Sequence, residues 1–252
     1  MVQVRDILTV LDTIAPFHTA EQWDNVGLMV GDPHQEVRSA LVALDPSLEV
    51  INAAAEAQKD LIITHHPLIF TPLKVVDLRE AVSRKIATLI RCSVALVSLH
   101  TNFDIAAGGV SDVLAERLSL RDVQSFGPLR TGTVDGEQTL CAWAVDLPFD
   151  TVRVADAGRL VKKICMCPGS GMEYIKSAVD MGCDTFVTGD VKYHGALDAR
   201  ESGINIVDLG HFATEQIALV PLTERLRREL PDISIDIYEE QDVFMNIKGE
   251  RN

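Results

Sequence analysis

Four of the seven histidines in this chain follow runs of apolar, strand-forming residues, and chemistry would begin at those four. Two are adjacent: Ile62-Ile63-Thr64-His65-His66-Pro67 reads as a short buried strand ending in a pair of imidazoles that a proline holds in place. Successive residues of a strand face opposite sides, so neighbouring ligands suit an element's end better than its middle. His100 stands with Asp104 after the apolar run at 93–99, and His211 stands with Glu215 after the run at 205–209. The i, i+4 spacing of His211 and Glu215 puts them on one face of a starting helix. Imidazole mixed with carboxylate suits Zn, Mn, Fe, Co or Ni, and a shared carboxylate is what a two-ion site needs. Each of these residues is commoner singly as a satisfied core or surface group. Their joint position at strand ends favours a metal centre.

Elements that deliver those residues can be read in order. Apolar residues at helical spacing over 4–14 predict an opening helix that stops before Pro16. The stretch 21–28, with Glu21, Trp23, Asn25 and Gly27, is neither a clean helix nor a clean strand and fits a turn or a site-lining loop equally. A strand at 40–44, a helix capped by Ser47, a strand at 61–64, a helix at 79–91 and a strand at 93–99 follow. This βαβαβ order predicts a mostly parallel sheet with helices on both faces, so the His65-His66 end and the 100–104 segment lie side by side. Asp135-Gly136 predicts a hairpin within 133–146, and a second βα series runs from 162 to 209. The expected class is α/β: two lobes of mixed, mostly parallel sheet flanked by helices. Residues 1–124 with 205–252 form the metal-binding lobe and 125–204 the second. A long helix to about 230 and a strand at 233–238 return to the first lobe.

Composition narrows the function. The 37 acidic and 23 basic side chains give a net charge of −14, which argues against nucleic acid and anionic membrane as partners. The densest basic groups, Arg225-Arg227-Arg228 and Lys162-Lys163, are more ordinary as solvated element ends. No apolar run reaches the ~20 residues that span a bilayer, and the first ten residues lack an apolar signal segment, so the cytoplasm is expected. Five irregularly spaced cysteines fit reduced core thiols, with Cys165-Met166-Cys167 as alternate residues of a buried strand rather than a metal pair.

Six separated motifs then carry a resemblance: 21–28 (Glu21 to Leu28), Thr64-His65-His66-Pro67, 100–104 with Gly108-Gly109-Val110, Gly169-Ser170-Gly171, 188–194 and 210–215. In this order the chain resembles the Nif-three-like family of dinuclear metal-centre proteins, known also as GTP cyclohydrolase I type 2 homologues. The resemblance covers nearly the whole chain, although Pro168 and Ser111 replace the family's usual glycine and asparagine. It implies a toroidal homohexamer built as a trimer of dimers, with two divalent metal ions per chain facing an inner cavity. It makes His65, His66, Asp104, His211 and Glu215 the metal ligands, Glu215 as the bridge, and places His100 near the metals but outside the certain ligands.

The expected activity is hydrolysis of a nucleotide or related small molecule, with water activated between the two ions. His100 or His194 would shuttle a proton, and Glu21 and Asn25 would line the cavity. GTP ring opening with formate release is the form the family label implies. No Gly-x-x-x-x-Gly-Lys loop is present, and Gly169-Ser170-Gly171 reads as a turn before it reads as a phosphate cradle. The alternative is a metal-binding ring scaffold or adaptor protein without turnover.

Overall fold

The computed structural model describes residues 1–245. Its strands are β1 (Gly27–Val30), β2 (Ser39–Ala43), β3 (Leu61–Thr64), β4 (Ala95–Ser98), β5 (Arg121–Phe126), β6 (Leu129–Gln138), β7 (Arg153–Ala155), β8 (Val161–Met166), β9 (Thr185–Thr188), β10 (Asn205–Asp208) and β11 (Ser234–Ile237). Its α-helices are α1 (Val4–Ile14), α2 (Leu48–Glu56), α3 (Ala81–Arg91), α4 (Thr101–Ile105), α5 (Val110–Arg117), α6 (Leu140–Val145), α7 (Ile175–Asp180), α8 (Tyr193–Glu201), α9 (His211–Glu215) and α10 (Leu219–Glu229).

The strands form two mixed sheets. In the first, of order β1-β4-β3-β2-β11, only β1 is antiparallel to its neighbour. In the second, of order β5-β6-β8-β9-β10-β7, β8, β9 and β10 run parallel and the outer pairings are antiparallel. Every residue of β3 is buried, as a strand covered on both faces must be. Leu61 and Ile63 pack with Val4, Ile7 and Leu11 of α1 and Leu222 and Leu226 of α10. Ile62, between them, joins Val50 and Ile51 of α2 and Ile86 and Leu89 of α3. In the second sheet Ile164 and Met166 face Leu114 and Trp143, while Cys165 and Cys167 face Ala178 and Ala199. The cysteine pair is thus alternate and buried, and all five thiols are free. Among the described residues no helix is long and apolar enough to cross a membrane.

Register brings the strand ends to common levels. Ala43 pairs with Thr64 and Thr64 with Ser98, so two residues further on Asp45, His66 and His100 emerge as neighbours. In the second sheet Met166 pairs with Val187 and Thr188 with Asp208, which carries the turn at 167–169, Asp190 and Gly210-His211 to one edge. The C-terminal ends of parallel strands are where α/β sheets place ligands.

Several elements differ from the sequence expectation. The hairpin turns between β5 and β6 at Gly127-Pro128, while β6 runs on through Asp135-Gly136. Gly136 has φ 72 within a register shift between Thr133 and Gln138, so this pair makes a bulge instead of a turn. Thr139 Oγ1 then accepts the Ala142 N–H at 3.4 Å and starts α6, so 140–145 is helical. The strand at 205–208, expected with the first lobe, pairs with β9 and β7 in the second sheet, which also takes β5 from Arg121. The expected long helix after His211 is α9, a 3-10 turn and α10. Part of the irregular stretch at 21–28 becomes β1, an antiparallel edge.

One buried amide ties α1 to a strand end that matters below. Asn102 has no exposed surface; its Nδ2 donates to the Ala15 carbonyl at 2.8 Å and its Oδ1 accepts the His100 N–H at 2.9 Å. Asn102→Ala leaves both backbone groups unpaired and is expected to cost about 1–3 kcal/mol, seen as a lower denaturation midpoint at unchanged slope. An unmoved midpoint would show that the two bonds add no net stability.

Candidate metal centre

Four imidazoles gather between the two sheets, and each has one nitrogen already committed. His65 Nδ1 lies 2.9 Å from the Leu99 carbonyl and His66 Nδ1 lies 2.8 Å from Asp45 Oδ1. His100 Nδ1 is 2.8 Å from Asp24 Oδ1, and His211 Nδ1 is 2.7 Å from Asp190 Oδ2. An acceptor at Nδ1 fixes the ring's orientation, keeps a proton there and leaves Nε2 free. Ring centroids are 5.0 Å apart for His65–His66, 5.2 Å for His65–His100, 5.6 Å for His66–His100 and 5.3 Å for His66–His211. The Nε2 atoms of His66 and His211 come within 3.3 Å. Two such lone pairs face each other stably only with a proton or another cation between them.

Two carboxylates complete the cluster. Glu215 is 4% exposed; its Oε1 lies 3.7 Å from His65 Nε2, and its Oε2 lies 3.0 Å from His66 Nε2 and 3.1 Å from His211 Nε2. Asp104 Oδ1 is 3.7 Å from His65 Nε2. Yet His65 Nε2, Asp104 Oδ1 and Glu215 Oε2 are all buried without a hydrogen-bond partner, the Glu215 contacts being close enough for ion pairs but not aligned as hydrogen bonds. A single buried unpaired polar group costs about 1–3 kcal/mol. Two overlapping groups, His65-His66-His100 and His66-His211-Glu215, each offer ligand atoms within 4.8 Å of one another and could hold a metal ion.

The electrostatics favour positive charge among these groups. Burial pushes Asp104 up to about 7. Burial also acts on Glu215, but His65, His211 and His66 outweigh it and hold that carboxyl well below the usual range. Burial would lower His66; Asp45 and Glu215 prevail and lift it to about 10. Glu215 foremost, with Asp190, lifts His211 to about 9 against burial. Burial raises Asp24 as well, but His100 and Thr101 bring it down to about 2. The carboxylates stabilise whichever cation, proton or metal, sits among the rings.

A cleft of about 1630 Å³ gives access, with Asp45, His66, Asp190 and His211 on its wall. Glu240 lines it too, and its carboxylate accepts the N–H of Leu44 and, at 3.1 Å, of Asp45, which steadies the residue that orients His66. Gly169 closes another side at φ +59, where a Cβ would lie 2.2 Å from Glu215 Oε1. The N–H groups of Gly169 and Gly171 are committed at 2.9 Å to Thr214 and Thr188 hydroxyls. The turn at 168–171 is therefore a wall against the carboxylate.

The structure brings together His65, His66, His100, Asp104, His211 and Glu215. His194 is exposed at the start of α8 with its ring 5.3 Å from that of Tyr193, and among the described residues no hydrogen bond or ring contact joins it to the cluster. Asn25 is exposed, and its Nδ2 donates to the Ile69 carbonyl at 2.6 Å. The Glu21 N–H donates to Thr101 Oγ1 at 3.0 Å. Sequence reasoning missed Asp24, Asp45 and Asp190. Asp45 had a signal, since it follows a strand directly, as the histidines do.

Residues 2–242 match the family model Duf34/NIF3 (NGG1p interacting factor 3). A Clostridium perfringens protein named GTP cyclohydrolase 1 type 2 homolog is 35% identical over 242 residues, covering 90% of this chain and 92% of its own. A Campylobacter jejuni protein of the same name is 33% identical over 240 residues, covering 93% and 95%. Among solved structures, Staphylococcus aureus protein SA1388 aligns with a TM-score of 0.88 at 29% identity, over 98% of this chain and 99% of that one. The Bacillus cereus protein related to NIF3 shares the fold, with a TM-score of 0.91 at 23% identity over 98% and 99% of the chains. The resemblance carried by the six motifs holds over the length of the molecule, and this chain belongs to the Duf34/NIF3 family.

Proposed function

We propose that this centre binds two divalent metal ions and hydrolyses a nucleotide or related small molecule, with ring opening of GTP and release of formate as the form suggested by its relatives' name. The observation that carries this reading is the set of buried atoms without a hydrogen-bond partner, His65 Nε2, Asp104 Oδ1 and Glu215 Oε2, beside the Nε2 atoms of His66 and His211. His65, His66, Asp104, His211 and Glu215 would hold the ions. Glu215, in reach of three imidazoles, would be shared between them. Two candidate groups support two ions, with His66, whose one free lone pair serves a single cation, going to one of them. Bound there, divalent cations supply Lewis-acid activation of water and neutralise negative charge that develops during hydrolysis.

The chain's own residues prepare the site. Asp45, Asp190 and the Leu99 carbonyl hold rings in place before any ligand arrives. His100, oriented by Asp24 and packed against His65 and His66, is placed to carry a proton; His194, paired with Tyr193, is less suited to that role. The cleft is large enough for a nucleotide-sized molecule. A homohexamer arranged as a trimer of dimers and a cytoplasmic location belong to the same reading, supported by the family resemblance and the free thiols.

Elemental analysis of the purified protein with its mass in solution is expected to give about two divalent ions per chain and a hexamer; a metal-free monomer would sink both. Incubated with GTP and a panel of phosphoesters, metal-loaded wild type should turn over at least one compound and His66→Ala none. Equal turnover by the two would remove this centre as the source, whereas bound metal with no turnover by either would favour the scaffold. Asp45→Asn and Asp190→Asn should each weaken metal binding by about 10–100-fold in competition with a chromophoric chelator. Unchanged affinity would show that the Nδ1 contacts do not serve metal binding.

A further inference from the structure

We propose that Trp23 and Phe70 form a platform on which a flat heteroaromatic ring of the ligand stacks, at the edge of the metal centre; the inference rests on reading that centre as a small-molecule site. Large aromatic side chains are mostly buried. The other tryptophan, Trp143, follows that rule at 6% exposed, within the second lobe's core. Trp23 and Phe70 break it at 56% and 52% exposed.

These two rings are nevertheless held in place. They come from separate loops, one before β1 and one after His65-His66, and their centroids lie 5.7 Å apart. The hydrogen bond from Asn25 Nδ2 to the Ile69 carbonyl joins the same two loops, giving that exposed amide a use. Both rings stand edge-on to His100, at 6.2 Å and 77° for Trp23 and 6.3 Å and 81° for Phe70. His100 is itself fixed by Asp24, whose carboxylate also accepts the Thr101 N–H at 3.1 Å and the Thr101 hydroxyl at 2.5 Å. Little ordering is left for a ligand to impose, so stacking energy is retained as affinity.

His100 shares a candidate cation group with His65 and His66. A ring resting on Trp23 and Phe70 therefore has its neighbour, His100, inside the reactive cluster. The chemistry of the ligand follows from the arrangement. Trp23 and Phe70 are inclined at 57°, so a flat ring that stacks on the exposed face of one meets the other at its edge, an arrangement that selects planar π systems. At a net charge of −14 the chain lacks long-range attraction for anions, and stacking supplies binding that charge does not.

The test titrates the metal-loaded full-length chain with GMP, AMP, a pterin and ribose 5-phosphate, following tryptophan fluorescence. Because Trp143 is buried, quenching reports on Trp23. Saturable quenching by at least one ring-bearing probe and none by ribose 5-phosphate is expected. Phe70→Ala should weaken that binding about 5–150-fold, the equivalent of one stacking contact, and Phe70→Tyr should restore it. Because Phe70 is half exposed, its truncation leaves the cores intact, and circular dichroism checks this. Failure of all three ring-bearing probes, equal quenching by ribose 5-phosphate, or unchanged affinity in Phe70→Ala overturns the platform. So does shielding of Trp23 from acrylamide in ligand-free protein, because a second copy then covers it together with the exposed Leu73, Val75, Val76 and Leu78. Ring-dependent binding without turnover would leave the platform standing while the hydrolase reading fails; turnover untouched by Phe70→Ala would do the reverse.

Discussion

The rest of the centre depends on one arrangement: four imidazoles whose Nδ1 atoms are all held by acceptors, and a buried carboxylate lying against three of their Nε2 atoms. Held at one nitrogen, an imidazole has a single place to send its other lone pair. Glu215 can remain ionised at 4% exposure only because positive charge is kept beside it. The fold therefore has to supply both a ring of acceptors outside the histidines and a dry interior. A surface cluster of the same residue types would have neither the fixed lone pairs nor the strong mutual attraction of its charges.

Neither sheet could build this alone. The first sheet delivers Asp45, His65, His66, His100 and Asp104 from successive strand ends, and the second delivers Asp190, His211 and Glu215 with the Gly169 turn behind them. The close approach of His66 to His211 is a contact between the two edges. Asn102 and Glu240 act at one remove. The first pins the backbone at His100 to the end of α1, and the second brings the C-terminal segment onto the backbone at Asp45. Accuracy at the centre is thus spread across residues that never touch it.

Much of this was legible in the sequence, for a physical reason. Short apolar runs ending in His or Asp mark strand ends, and parallel strands bring such ends together, so the histidines could be gathered without coordinates. Asp45 and Asp190 shared the histidines' place after a strand but could not be singled out by type, since a lone aspartate there serves a turn as readily as an imidazole, and Asp24, in the loop before β1, lacked even that signal. The strand at 205–208 was recognisable as a strand, but its partners are set by register with β9 and β7, which periodicity does not encode. Asp135-Gly136 carries hairpin chemistry and meets it in another form, because positive φ suits a bulge as well as a turn. Trp23 and Phe70 look like core residues to any composition count; only their exposure and their shared neighbour, His100, set them apart.

The adjacency of His65 and His66 finds its explanation in the middle position of β3. That strand lies between β2 and β4, and alternate residues leaving its end face alternate sides. His65 turns its Nδ1 to the Leu99 carbonyl beyond β4, and His66 turns its own to Asp45 beyond β2. The backbone between them is steadied by Thr64 and Ser98, whose hydroxyls donate to the His66 carbonyl at 2.8 Å and 3.2 Å, just ahead of Pro67. Anchored on opposite strands, the two neighbours bring their free nitrogens to different oxygens of Glu215. One ring leans toward Asp104, the other toward His211, and Glu215 spans the gap. A centre with two overlapping cation groups is what a consecutive pair at the end of a central strand produces.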